Sequence, residues 1–342
     1  MPVAHYGVLK GRAIDRVIEY EPHSPHYQIL VQAGEVPFRV AVNVKSRDHG
    51  SPELLFTVVE NFEHVLTEEL AALDDGFHFL PPKPESPALD YVRSNLFDRK
   101  TMVLLPHDLP GDENDLNEKV EMYVRRAVRN PEAVLYAFGS RWGPEHRIAD
   151  KIWRFRPGNG VHNIHMNQGN PTGRYGRDNG VYQDGGMLIH YPRLDRWIGI
   201  FLAFQSQAWH TSDGSGYPDG DMAELGAAYA PHRAEPDYSV RILAALVNPA
   251  GGDPGRETVT LFNTTEQPID LTGWTLLDRG KRRMGLTGVL PPHEPQTVRL
   301  SRTIQLSNSG GIITLLNPQG RKVHGVFYSK RQAQEQGRSI VF

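Results

Sequence analysis

A chain of 342 residues with a 39% apolar and 23% charged composition exceeds one ordinary core and suggests two soluble domains. The absence of cysteine excludes disulfides, thiolate zinc sites and thiol nucleophiles, and no apolar run reaches the roughly 18–20 residues of a membrane span. The net charge of −3 divides unevenly, since Pro236 to Phe342 hold 13 Lys and Arg against 8 Asp and Glu while the residues before them hold 24 against 32.

Residues 7–17 open the chain as a strand. Segments 26–34 and 38–46 alternate with period two around a loop bearing Gly34 and Pro37, the signature of a hairpin, and 54–59 continue the β pattern. The proline-rich stretch 81–87 reads as a spacer. Residues 114–129 predict a helix with apolar positions 116, 120, 124 and 128 on one face, acidic residues early and arginines late. A buried strand follows at 133–139, and two more at 186–191 and 197–203. Residues 230–237 read as a linker. Beyond Tyr238 seven short strands, with turn residues between them and no helical pattern, predict an immunoglobulin-like sandwich. The expected fold class is mainly β: a β-rich α+β domain over 1–232 and a sandwich over 238–342.

The run from Phe155 to Asn170 concentrates glycine, histidine and carboxamide side chains in a way that reads as a site rather than a core. Three segments are expected to converge: His162–Asn170, Asp178–Asp184 with His190, and Gln205–Asp213. Their donors suit a divalent ion (Mg, Mn or Ca) assisting hydrolysis. Asp178 and Asp184 would be ligands, and His165 a general base or ligand. His210 would donate a proton or bind the ion, Asn167 and Gln168 would orient the reactants, and Asn170, Gln183, Gln205, Gln207 and Lys45 would contact substrate. A metal-free two-histidine phosphoesterase is a variant of this chemistry, although Asn167 stands where it wants Thr or Ser. The competing account is a polar-ligand module that grips carbohydrate or peptide, in which Asp178 and Asp184 only shape turns. No Gly-x-Ser-x-Gly elbow, P-loop or dinucleotide fingerprint is present. The cationic run Arg279–Arg283 could touch a nucleic-acid backbone or simply face water.

Two resemblances add to this. Residues 246–249, 257–263, 270–276 (Asp-Leu-Thr-Gly-Trp-Thr-Leu), 290–292 and 306–311 resemble the lamin-tail domain, with Trp274 as a core anchor. Residues 6–11, 41–46, 161–170, 177–185, 188–191 and 204–211 resemble the YukJ-like family of bacterial proteins of unknown function. Lamin-tail modules in bacteria accompany secreted or DNA-directed enzymes, so the resemblance implies phosphodiester chemistry, a nuclease in particular, with nucleic acid as partner. The missing signal-like N-terminus and the lack of cysteine predict a cytoplasmic location, or export without a signal peptide.

Overall fold

The computed structural model describes residues 6–19, 26–44, 54–80, 96, 102–104, 116–163, 184–204, 239–251, 255–318 and 322–342. Among them strands far outnumber helices, and the protein is mainly β. It divides into two units: Met1–Glu63, Leu70–Pro82 and Phe97–Pro231 form the first, while His64–Glu69, Lys83–Leu96 and His232–Phe342 form the second.

The first unit is built around β1 (Tyr6–Ile18), which bends because Ile14 is an extra residue in its pairing with β2 (His26–Ala33). Its first half pairs with β7 (Val134–Glu145) and its second half with β2. A two-residue turn with Gly34 at φ +56° joins β2 to β3 (Val36–Asn43), tighter than expected, with Pro37 already inside the strand. Parallel to β3 runs β8 (Gly158–Asn163), which pairs antiparallel with β7 and closes a ring of five strands. A ring with its third and fifth strands parallel and a helix ahead of its fourth has the connectivity of the OB-type barrel.

Alternate residues of every ring strand meet inside: Leu9, Ala13, Tyr27, Ile29, Val31, Val40, Val42, Leu135, Ala137 and Val161 form one buried cluster. The helix that precedes β7 is Leu116–Arg129; α1 is the short Leu66–Ala71, so this one is α2. It contributes Val120, Tyr123, Val124 and Ala127 to the cluster with Val128 packed against it, so the expected face meets the core at 120, 124 and 128 and is widened by 123 and 127. Glu121 takes bonds from Arg16 (2.6 Å) and the Tyr27 hydroxyl (2.5 Å) and fixes the helix to the ring.

The N-terminal half of β7 also pairs with β9 (Asp184–Tyr191), which continues to β10 (Arg196–Phe204), β4 (Leu54–Val59) and β6 (Val103–Leu104). A further strand, β5 (Gly76–Phe79), lines the first half of β1. The Phe155–Asn170 run, expected to be a site rather than a core, is in part corrected: 158–163 is a largely buried strand. Its glycines serve close packing, since a Cβ on Gly160 would lie 2.0 Å from the Trp142 ring and 2.3 Å from the Arg39 carbonyl.

The second unit carries one sheet of β11 (Val240–Leu246), β12 (Thr258–Asn263), β17 (Pro295–Arg299) and β20 (Ile340–Val341). A second joins β14 (Thr275–Leu277), β15 (Arg283–Gly285), β18 (Gly311–Leu316) and β19 (Lys322–Tyr328). A short pair, β13 (Ile269–Asp270) with β16 (Val289–Leu290), completes it. The two larger sheets share one apolar cluster that includes Trp274. A one-turn helix, α3 (Lys330–Ala333), was not expected there; Ser329 and Gln332 form a reciprocal capping box at its start. Two of the four cations in the run are paired within the unit, Arg279 with Glu69 (2.6 Å) and Arg282 with Asp278 (2.8 Å).

Candidate functional site

Strand register brings several chain exits to one end of the large sheet. Val42 of β3 lies beside Asn163 of β8, His162 opposes Ser140 of β7, Asp184 of β9 opposes Ala203 of β10, and Phe204 opposes Leu54 of β4. From Phe138 opposite Gly186, the register carries Asp184 level with Ser140. The chain leaves this rim after Asn43, Asn163 and Phe204 and returns to it at Leu54 and Asp184. The segments that hold His165, Asn167, Gln168, Asn170, Asp178, Gln183, Gln205, Gln207, His210 and Lys45 lie outside the described residues. Of the expected ligands, Asp184 alone has a described backbone position, as the first residue of β9.

Within two residues of this rim, on the outer face of the ring, two imidazoles meet. Nε2 of His26, which opens β2, stands 2.9 Å from Nε2 of His162 in β8, with the rings edge to face at 77°. On the other side of His26, Glu19 accepts its backbone N–H at 3.1 Å and faces its Nδ1 at 3.5 Å. Burial would raise the Glu19 pKa, but hydrogen bonds from His26, Gln28 and Lys151 outweigh it and hold the group down at about 2. Glu19 is therefore a carboxylate throughout the range in which imidazoles titrate.

A carboxylate facing Nδ1 favours the tautomer protonated there. With a proton on Nδ1 facing Glu19, neutral His26 accepts at Nε2 from the N–H of His162, and Nδ1 of His162 is left as the basic atom. A proton taken there can be matched by transfer of the Nε2 proton to His26, whose imidazolium then sits beside Glu19. The three groups stand in series, the arrangement that a proton relay requires. Their two Nε2 atoms, hydrogen-bonded at 2.9 Å, are closer than the roughly 3.3 Å that two tetrahedral zinc ligands with bonds of about 2.0 Å require. No group of three His, Cys, Asp or Glu with metal-binding geometry occurs among the described residues.

Beside the relay, the buried carboxylate of Asp150 pairs with Arg39 at 2.6 Å, and Arg39 also reaches Gln28 at 3.0 Å and lies 4.6 Å over the Trp142 ring. Asn163 is fully buried, and neither atom of its carboxamide finds a hydrogen-bond partner among the described residues. Such an orphan costs on the order of 1–3 kcal/mol, which singles it out at a rim.

His190 does not join this site. Six residues from Asp184 along β9, it stands roughly 20 Å from the rim at the strand rise of ~3.3 Å per residue, stacked 4.0 Å from Trp197. Lys10 bonds the Ala71 and Leu73 carbonyls at the end of α1, where a cation complements the helix dipole.

A family model described as "Uncharacterized conserved protein (DUF2278)" matches residues 1–216. The chain belongs to the DUF2278 family. It is 43% identical over 223 residues to "Uncharacterized protein YukJ" of Bacillus subtilis (strain 168), a match covering 65% of this chain and 96% of the relative. No solved structure matches the chain. The DUF2278 span contains the whole ring, the relay and the β9–β10 extension, and it ends before β11. Sequence reasoning over this DUF2278 span picked out His162 but missed His26 and Glu19, because 136 positions separate the two imidazoles and no local spacing marks them.

Proposed function

We propose that the first unit is a hydrolase that cleaves phosphodiester bonds in nucleic acid with the help of a divalent ion, a nuclease in which the Glu19–His26–His162 relay moves the proton. The observation that carries this reading is the relay itself, a carboxylate and two imidazoles in series, set beside the rim where the polar segments are anchored. His162 takes the proton of the attacking water and passes its own to His26, and Glu19 stabilises the imidazolium. The ion, when bound, would polarise a phosphoryl oxygen, and Asp178 and Asp184 are the residues assigned to hold it. His165 and His210 would serve the leaving group or the ion; Asn167, Gln168, Asn170, Gln183, Gln205, Gln207 and Lys45 would position substrate.

The test uses the full chain on single- and double-stranded DNA, RNA and small chromogenic diesters with Mg²⁺, Mn²⁺ or Ca²⁺. Cleavage should vanish on chelation. Replacing His162 with Gln should lower kcat by about 10²- to 10⁴-fold with KM little changed, and His26→Gln should do nearly as much. No turnover on any substrate would sink the hydrolase reading and leave a module that grips carbohydrate, peptide or another polar ligand.

For the second unit we infer a lamin-tail module of immunoglobulin-like form. Two four-stranded sheets around one cluster and the buried Trp274 support it. As a docking element it should help with large substrates: deleting 238–342 should weaken cleavage of polymers more than that of chromogenic diesters, and equal losses would count against the role.

A further inference from the structure

The end of β7 and the loop joining it to β8 differ in charge from their surroundings. Residues 141–157 hold five Lys or Arg against two Asp or Glu, within a region up to Glu235 that holds 24 against 32. Arg147, Arg154 and Arg156 are exposed, and none of them makes a salt bridge among the described residues. Three aromatic residues are interleaved with these cations. Trp142 is already occupied, with the Arg39 guanidinium 4.6 Å from its ring centre and Gly160 packed against its edge. Trp153 and Phe155 are half-buried, and their rings stack on no other ring or cation among the described residues.

The loop is also held in one shape before anything binds. Asp150 accepts the backbone N–H groups of Ile152 (3.0 Å) and Trp153 (2.9 Å) through one oxygen and pairs with Arg39 through the other. The Asp150 N–H bonds the Phe155 carbonyl at 2.9 Å, and the Gly158 N–H bonds that of Ile148 at 2.8 Å. The Trp153 indole N–H donates to Asp15 at 3.0 Å, and Lys151 pairs with Glu19 at 3.1 Å. The last contact joins the loop directly to the carboxylate of the relay.

We propose that this loop is a binding platform for single-stranded nucleic acid. Exposed arginines meet phosphates, and the half-buried rings of Trp153 and Phe155 stack on unpaired bases through whatever surface they present, an interaction open to any base sequence. A duplex hides its base faces and brings denser charge against an acidic body, so it gains little from the rings and is repelled elsewhere. Because the loop is fixed, little ordering entropy is lost on binding. The inference rests on the proposed function only for the class of polymer, and it places the strand beside His26 and His162.

Binding is measured on the full chain by fluorescence anisotropy, with labelled dT and U oligomers of about 12 nucleotides and a duplex of equal length. Chelator and the His162→Gln background keep cleavage out of the measurement. Single strands should bind at least tenfold more tightly than duplex, and the DNA and RNA arms show which sugar is preferred. The double variant Arg147→Gln/Arg156→Gln should make the slope of log K against log salt shallower by about 0.7 per arginine. Trp153→Ala should weaken binding roughly tenfold or more, whereas Trp153→Phe, which keeps a ring and loses only the bond to Asp15, should retain most of it. Absence of single-strand binding, equal affinity for duplex and heparin, or equal damage from Trp153→Phe and Trp153→Ala would each overturn the proposal. Tight single-strand binding by an unmutated chain that cleaves nothing supports the platform while removing the hydrolase reading, so the two failures are distinct.

Discussion

At His190 burial lowers the pKa, with the Asp195 carboxylate opposing and Lys10 adding to the shift, and the neutral ring stacks on Trp197. Between the folded value and the ordinary 6.5 the unfolded chain binds more protons, so the stability this ring contributes is complete above 6.5 and is lost as pH falls below it. Urea midpoints at about pH 7.5 and 5 should therefore differ less in His190→Phe than in the parent protein; an unchanged difference would contradict the assignment. Asn163 offers a second test. If its orphaned carboxamide is kept for a ligand, Asn163→Leu should raise stability by about 1 kcal/mol or more and lower turnover or ligand affinity. A loss of stability on denaturation would show instead that the amide supports the fold.

Among the elements, β8 is the one whose sequence misleads. Glycine and asparagine within Gly158–Asn163 imitate a loop, yet the strand is buried because Trp142 lies against Gly160 and the ring needs backbones in close approach. Gly160→Ala should cost about 1–3 kcal/mol, since the new Cβ meets the Arg39 backbone as well as a side chain; wild-type stability in guanidinium would rule out this packing. The β2–β3 hairpin was legible because period two and a turn glycine act locally. Ring closure was not, because the parallel pairing of Arg39 with Gly160 joins residues 121 positions apart and leaves no periodic trace. The helix α3 could have been read from Ser329 and Gln332, a serine followed three residues later by glutamine. Ser329→Ala should lower stability by about 1 kcal/mol, detectable as a shift in the second unit's melting.

At the scale of the molecule, the change in texture near Tyr238 was visible in the sequence, but the assignment of His64–Glu69 to the second unit was not, since a short excursion carries no compositional mark. Two separate apolar clusters predict two cooperative transitions. Trp274→Ala, removing a buried ring at a cost of about 3–5 kcal/mol, should lower one calorimetric transition and leave the other near its place; equal shifts in both would mean a single cooperative body. The pairing of β4 with β10 has its own consequence. Leu54 meets Phe204 across 150 positions, so a ribosome making this chain exposes the β10-facing edge of β4 long before β10 exists. At about 5–20 residues per second that wait is on the order of 10 s, during which an apolar edge is open to mispairing. Newborn chains should thus depend on holding factors until β10 emerges, and ribosome-bound chains halted before Arg196 should aggregate more readily than those halted beyond Phe204.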